Sequence, residues 1–253
     1  MKNQIPRGFR DLLPEEVEAE KKVIDKIRAV FEKAGYERVI TPTLEYADAL
    51  APGLSADLQK EAFKFFDGEG QPVMLRPEHT TPIARLVSTR NQNESEIRYY
   101  YSGDVFRNTQ LNLGFPSQFH QMGLELIGVK GTTGDKEVID LAKKALTAVG
   151  LKNVQVTVGD ASKISKKSKK DQEHLLNQDF VSLKTLPSKE DLVARNHDYY
   201  TGMIFQIYVP EFGYLIGSGG RYDDLLGRFG KSRPAVGFAF SLNRVLLALE
   251  AQS

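Results

Sequence analysis

Apolar residues fall at helical spacing from Val17 through Val23, Ile24, Ile27, Val30 and Phe31 to Ala34, which predicts a helix over about 15–34. Pro14 suits its first turn and Gly35 its C-terminal cap. The pattern then changes. Residues 38–41 read as a short strand interrupted by Pro42, which has no N–H to donate and belongs at a sheet edge or a bulge. Strand-like runs at 72–76 and 97–106 flank a helix over 81–90, and residues 119–129 and 154–158 read as further strands. A helix from about 135 to 149, ended by Gly150, lies between these last two. The rest predicts strands at 203–209, 213–217 and 235–240 and a last helix at Leu242–Glu250. Strands mostly follow strands, and the helices are too few for a regular βαβ repeat. The fold class is therefore α+β, a mostly antiparallel sheet flanked by helices.

Composition narrows the function classes. With 253 residues, 41% hydrophobic and 26% charged, the chain suits a single core domain over 1–253. No apolar run approaches the roughly 20 residues of a membrane span. The start, MKNQIPRGFRDLLPEE, has no apolar signal-peptide core, so a cytoplasmic protein is expected. The absence of cysteine excludes a disulfide scaffold and a thiol nucleophile. Histidines at 79, 120, 174 and 197 show no metal-ligand spacing, so neither a metal nor a cofactor is expected. A balance of 34 basic against 33 acidic residues does not favour nucleic acid, because gripping many phosphates calls for a basic surplus. One segment, ASKISKKSKKDQEHLLNQ at 161–178, carries five lysines within ten residues; it reads as a solvated surface, with an interaction patch as the alternative.

Five motifs carry candidate chemistry. In RPEHTTPIAR, 76–85, Glu78 and Thr80 stand where a strand passes into a helix, so a carboxylate and a hydroxyl could receive an ammonium group. The plain alternative is a helix entry with Thr80 or Thr81 as N-cap and Pro82 in the first turn. In FRNTQLNLGFPSQFHQMGLE, 106–125, Arg107 opens the motif and Gln121 and Glu125 close it. Their even spacing on a strand puts Gln121 and Glu125 on one face, either toward a polar ligand or simply toward solvent. In ARNHDYYTG, 194–202, Tyr199 and Tyr200 are expected on opposite sides of a strand, with Arg195 a few residues earlier. A tyrosine wall beside a guanidinium suits an aromatic, cationic amino acid with a free carboxylate, although Tyr-Tyr-Thr-Gly also fits a strand end and turn. GSGGRYDDLLGRFG, 217–230, matches neither GxxxxGK[ST] nor GxGxxG, so its glycines are expected to serve close backbone approach or tight turning. Finally AVGFAFSLNRVLLAL brings Arg244 to the start of the last helix, where a surface arginine is the plain reading.

Joined in this order over nearly the whole chain, these motifs resemble the catalytic core of histidyl-tRNA synthetase, a class II aminoacyl-tRNA synthetase. They also resemble its non-catalytic relative, the regulatory subunit of short-form ATP phosphoribosyltransferase. The resemblance implies a histidine pocket in which Glu78 and Thr80 hold the amino-group region, Arg107, Gln121 and Glu125 line the walls, Arg195 approaches the carboxylate, and Tyr199 and Tyr200 bracket the imidazole. It implies a homodimer through the first helix, strand and Pro42. It also implies that 161–190 is a shortened stub of an insertion domain and that no anticodon-binding domain follows Ser253.

Departures from the synthetase pattern separate the two relatives. Activating an amino acid with ATP builds charge on a phosphate that positioned arginines or magnesium must offset. Where synthetases carry an acidic residue and further arginines, this chain has Thr109, Phe115 and Ser117. Where they read Gly-Leu-Glu-Arg, it has Ser241-Leu242-Asn243-Arg244. The resemblance therefore implies a regulatory subunit that makes no bond itself. It would partner the catalytic subunit, take histidine as its allosteric ligand, and leave tRNA unbound. A truncated synthetase or histidyl-adenylate former is the alternative, kept open by Arg107, Arg195 and Arg244, and a dimer with an inactive pocket is a third.

Overall fold

A computed structural model describes residues 4–108, 116–161 and 199–253. Its first helix, α1 (Pro14–Lys33), starts on Pro14 and buries Val23, Ile27 and Phe31, as the spacing predicts. Gly35 follows at φ 84°, a conformation that costs a residue with a Cβ. The chain continues through β1 (Glu37–Arg38), β2 (Leu44–Tyr46), α2 (Ala47–Leu50), α3 (Ala56–Glu61), β3 (Lys64–Phe66), β4 (Pro72–Leu75), α4 (Thr80–Arg90) and β5 (Ile97–Phe106). Then come β6 (Gln118–Ile127), α5 (Thr132–Val149), β7 (Gln155–Asp160), β8 (Met203–Tyr208), β9 (Leu215–Arg221), β10 (Ala235–Ser241) and the C-terminal helix α6 (Leu242–Glu250).

Among the described residues, seven strands form one sheet in the order β1-β5-β6-β10-β9-β8-β7. Every pairing is antiparallel except β1 with β5. The predicted mostly antiparallel α+β fold is what the chain adopts. The strand expected at 38–41 is shorter and begins one residue earlier, Glu37–Arg38 on the sheet edge, with one further bond from Val39 N–H to Tyr100 O. The strand expected at 72–76 is β4, and it lies at the centre of a second sheet of order β2-β4-β3; its neighbours β2 and β3 were not foreseen, because three residues are too few for a period-2 pattern to register. No helix among the described residues is long and apolar enough to cross a membrane. Nearly all of the lysine-rich 161–178 segment and of the 161–190 region lies outside the described residues.

The large sheet has two chemically different faces. One packs against α1, α5 and α6 through Tyr100, Met122, Leu124, Leu126, Phe205, Ile207, Val236, Phe238 and Phe240. This layer makes the main sheet a rigid plate under whatever stands on the other face. Leu124, fully buried at its centre, tests that role: Leu124→Ala is expected to destabilise the chain by about 2–5 kcal/mol in urea denaturation.

Candidate functional site

Alternation along β6 sends Met122, Leu124 and Leu126 into the helical core and leaves Gln121, Gly123 and Glu125 on the opposite face. On β10 the same rule puts Gly237, Ala239 and Ser241 on that face, in register with Glu125, Gly123 and Gln121. Gly220 and Ser218 of β9 continue the row across from Gly237 and Ala239. The result is a floor of small side chains from which one large acidic residue rises. A Cβ at position 237 would collide with Glu125 Oε2, so glycine there is what lets the carboxyl fit. Gly220 plays the same part for Tyr200, whose ring lies 2.8 Å from where a Cβ would stand. The glycine-rich segment serves close approach, as its sequence suggests.

Glu125 is 1% exposed, and two hydroxyls hold it. Thr80 Oγ1 donates to Oε1 at 2.7 Å, and the Tyr222 hydroxyl donates to Oε2. Burial raises the carboxyl from its ordinary 4.5 to about 8; the two hydrogen bonds oppose that rise and the charge of Glu78 adds to it. Glu78 itself is bound differently. Its two oxygens accept the backbone N–H groups of Thr80 at 2.8 Å and Thr81 at 2.7 Å. The α4 N-terminus is therefore capped by Glu78 rather than by a threonine hydroxyl: the N-cap position is His79, and Thr80 Oγ1 is free to turn toward Glu125. Pro82 does stand in the first turn, as the sequence suggests.

The tyrosines depart from expectation. Tyr199 and Tyr200 stand in a turn ahead of β8, so strand alternation does not apply, and both rings pack into one cluster with Tyr101 and Tyr222, the Tyr200 ring over Gly220. They meet edge to face at 5.1 Å, and Tyr199 meets Tyr222 in the same manner at 5.7 Å. All three hydroxyls are pushed up by burial first and by the charge of Glu125 or Glu78 next. Tyr101, opposite Gly123 on β5, completes the ring around the carboxyl and stacks on His79 at 4.5 Å.

The structure thus brings together Glu78, Thr80, Glu125, Tyr199 and Tyr200 of the sequence-nominated residues. Gln121 joins them on the same face, 9% exposed, with a buried Oε1 that has no hydrogen-bond partner. Arg107 lies near Glu78 and the tyrosines. Its Nε donates to Pro77 O at 2.7 Å, its guanidinium covers the Phe119 ring at 5.3 Å, and burial opposes its charge while Glu78 and Glu61 favour it. Arg244 Nη1 donates to Leu215 O at 2.6 Å. Arg195 lies outside the described residues, as do Thr109 and Phe115. Sequence reasoning passed over Tyr101 and Tyr222. The first was findable by pairing 97–106 with 119–129, which sets Tyr101 on the Glu125 face; the second sits in the glycine motif, where attention went to the glycines.

A helix-backed antiparallel sheet carrying its polar site on the open face, entered by the Glu78 junction, defines a class II synthetase-like core. The histidyl-tRNA synthetase family model matches residues 8–178 and 189–245, and the chain belongs to that family. Among curated relatives, the ATP phosphoribosyltransferase regulatory subunit of Moorella thermoacetica is 31% identical, covering 97% of this chain and 82% of its own length. That of Caldanaerobacter subterraneus is also 31% identical, over 98% of this chain and 83% of its own. A solved structure described as an ATP phosphoribosyltransferase regulatory subunit/histidyl-tRNA synthetase from Bacillus halodurans superposes with TM-score 0.84 at 27% identity, covering 99% of this chain and 83% of that one. A histidine–tRNA ligase subunit from Alicyclobacillus acidocaldarius gives 0.83 at 26% identity and covers 98% of each chain.

The raised carboxyl makes a stability test. A group whose native value is about 8 against an ordinary 4.5 favours the folded state below about pH 4.5 and loses that contribution as pH rises toward 8. Glu125→Gln removes this loss while keeping a hydrogen-bonding side chain. It should raise stability by about 1–3 kcal/mol at pH 8.5 and by much less at pH 5, measured by urea denaturation at both values.

Proposed function

We propose that this chain is the regulatory subunit of a short-form ATP phosphoribosyltransferase. In this reading it joins the catalytic subunit, supports its turnover, and brings it under feedback inhibition by histidine in the first step of histidine biosynthesis. The relatives that carry the regulatory-subunit name support this, and the observation that carries it is the pocket around Glu125. Two carboxyls, Glu78 and Glu125, are almost wholly buried beside a cluster of four tyrosines, Tyr101, Tyr199, Tyr200 and Tyr222. Burying such charge is costly unless a ligand brings compensating charge. Histidine supplies an ammonium, a ring that can carry a proton, and a flat shape matched to the tyrosines. Glu78 and Thr80 serve the amino-group region, Arg107, Gln121 and Glu125 line the walls, Tyr199 and Tyr200 hold the ring, and Arg195 answers the carboxylate. Feedback then needs only that histidine bind two assembly states unequally, by roughly 1–3 kcal/mol.

The phosphate side supports a non-catalytic role. Ser117, at a position where the synthetase pattern has arginine, is 3% exposed and packed against Gly8, whose carbonyl accepts the Ser117 N–H at 2.7 Å. Asn243, in place of the acidic residue of the last motif, keeps a buried Oδ1 without a hydrogen-bond partner. Arg107 and Arg244 favour the second reading, a histidyl-adenylate former, and pyrophosphate exchange separates the two. Robust histidine-dependent exchange between ATP and pyrophosphate by the purified chain would sink the regulatory reading.

The chain acts as a homodimer in this reading. The outer side of the small sheet exposes Leu44, Tyr46 and Phe65, with Ile40 and Phe66 beside it, an apolar surface next to the β1 edge and Pro42. Phe66→Asp combined with Tyr46→Asp is expected to leave a folded monomer by light scattering; a persistent dimer would place the interface elsewhere.

The decisive experiment measures phosphoribosyl transfer by the short catalytic subunit with and without this chain across a histidine titration. Turnover should rise with the chain and fall with histidine. Glu125→Ala should raise the half-inhibiting histidine concentration about tenfold or more, since a hydrogen bond to a charged group is worth about 1.5–3 kcal/mol. Turnover indifferent to both chain and histidine refutes the reading.

A further inference from the structure

On the helix side of the main sheet, the apolar row of Tyr100, Met122 and Leu124 gives way to polar residues toward the Phe106 end of β5. Ser102 and Asp104 follow Tyr100 at even spacing on β5, and His120 stands directly across from Asp104 on β6, so the three side chains share that face. Asp104 Oδ1 accepts from His120 Nδ1 at 3.0 Å, its Oδ2 accepts from Gln118 Nε2 at 2.8 Å, and His120 Nε2 lies 2.7 Å from Ser102 Oγ. An ionised carboxylate only accepts, so Nδ1 carries the ring proton. The neutral ring then offers its lone pair at Nε2, and the Ser102 hydroxyl donates to it. The hydrogen bond from His120 holds the Asp104 carboxyl below its ordinary range against the opposing effect of burial, which keeps it in that ionised form. From α1, Glu20 lies within electrostatic reach of His120 and Asp104, and Arg10 and Glu16 lie within reach of Glu20. The array is open to water: the Asp104 and His120 side chains are 40% and 20% exposed, and Ser102 is only partly buried. Burial therefore does not compel these groups to satisfy one another, since water could serve each of them. Leu13 and Val17, both exposed, continue the Glu20 stripe of α1 and put apolar surface on the same side.

Hydroxyl, imidazole and carboxylate joined in this order make a serine nucleophilic, and the arrangement is recognised by geometry rather than by sequence position. We propose that Ser102 is a nucleophile for acyl transfer, with His120 as its general base and Asp104 as the positioning residue, and that it takes activated acyl donors, namely thioesters, acyl phosphates or aryl esters of short apolar acids. In the first step Ser102 Oγ bonds to the carbonyl carbon while its proton passes to His120 Nε2. The bond from that carbon to the leaving group then breaks, and the leaving group takes the proton from Nε2, which leaves an acylated serine. Water repeats the sequence with His120 again as base, releasing the acid and restoring the hydroxyl, so no oxidant or reductant enters. Activated donors are the matching class, because their leaving groups depart readily and the cluster supplies a nucleophile and a base rather than a set of donors for the carbonyl oxygen. The site is separate from the Glu125 cluster, which stands on the opposite face of the sheet.

The full-length chain is treated with a fluorophosphonate probe and, separately, with p-nitrophenyl acetate. Mass spectrometry of the digested chain locates the adduct, and the burst of p-nitrophenol counts the acylated sites. An adduct on Ser102 and a burst of about one equivalent per chain support the proposal. Ser102→Ala, which removes only a hydroxyl from a partly exposed position, should abolish both. His120→Ala should slow labelling about 100-fold or more, and added imidazole should restore part of the rate, which a merely structural histidine would not allow. Asp104→Asn should slow it about tenfold or more, because an amide N–H turned to Nδ1 leaves the ring proton on Nε2, whereas Asp104→Glu should retain labelling. A parent chain unlabelled at Ser102 overturns the proposal without recourse to any variant. An adduct found only on lysine or on His120, or a rate at Ser102 that His120→Ala leaves unchanged, overturns it equally.

Discussion

A carboxyl buried at the centre of a sheet is the constraint on which the rest of this molecule turns. Glu125 is tolerated because three separate parts of the chain make room and supply donors: Gly237 from the neighbouring strand, Thr80 from 45 residues earlier, and Tyr222 from 97 residues later. None of these is local, so the site exists only when the whole sheet has closed. The unequal faces make this possible. One face packs large aliphatic and aromatic residues against the helices, and the other is kept small so that Glu125 and its polar partners can stand on it.

The junction between β4 and α4 applies the same economy at short range. Three consecutive residues there point to three uses: Glu78 caps the helix, His79 stacks on Tyr101 and hydrogen-bonds Gly103 O at 3.1 Å, and Thr80 reaches Glu125. Burial, seconded by Arg76, holds the His79 imidazole down to about 3, so it stays neutral through the physiological range. His79 thus serves as a rigid ring under the site. The group left in an energetically unfavourable state is Glu125, whose carboxyl burial raises to about 8 against the pull of its two hydroxyl partners.

Most of the large sheet was legible because its strands are long and their faces differ. β5 was read at its observed bounds, and α5 ended at Gly150 as expected, with φ 111° there. In the small sheet only the central strand β4 was legible, since its neighbours, such as Leu44–Tyr46, are set by tertiary pairing with β4 rather than by any repeat. At the site, the shared face of Gln121 and Glu125 followed from spacing alone. The side of Tyr199 and Tyr200 did not, because the chain turns before β8 and alternation holds only within a strand. Capping by Glu78 was hidden for a related reason: the usual pattern places the hydroxyl at the cap, and here the preceding carboxylate reaches over His79 to do it.

The tyrosines are tied to the outer surface through one residue. Arg221, immediately before Tyr222, is 8% exposed in its side chain and donates from Nε to Asp135 at 2.8 Å, from Nη1 to Asp223 at 3.0 Å, and from Nη2 to Gly131 O at 2.9 Å. Its own carbonyl accepts the Thr201 N–H at 2.8 Å, and the Thr201 hydroxyl accepts from the Asp223 N–H at 3.0 Å. The turn carrying Tyr199 and Tyr200 and the strand end carrying Tyr222 are thus pinned to each other and to the first turn of α5. Breaking a buried pair of this kind strands an uncompensated charge, which costs about 3–5 kcal/mol, so small shifts of Tyr222 are met by movement of the whole assembly rather than by rupture of one contact. Any displacement of Tyr222 therefore bears on α5 through covalent neighbours and a saturated guanidinium, a stiff connection between the Glu125 cluster and the first turn of that helix.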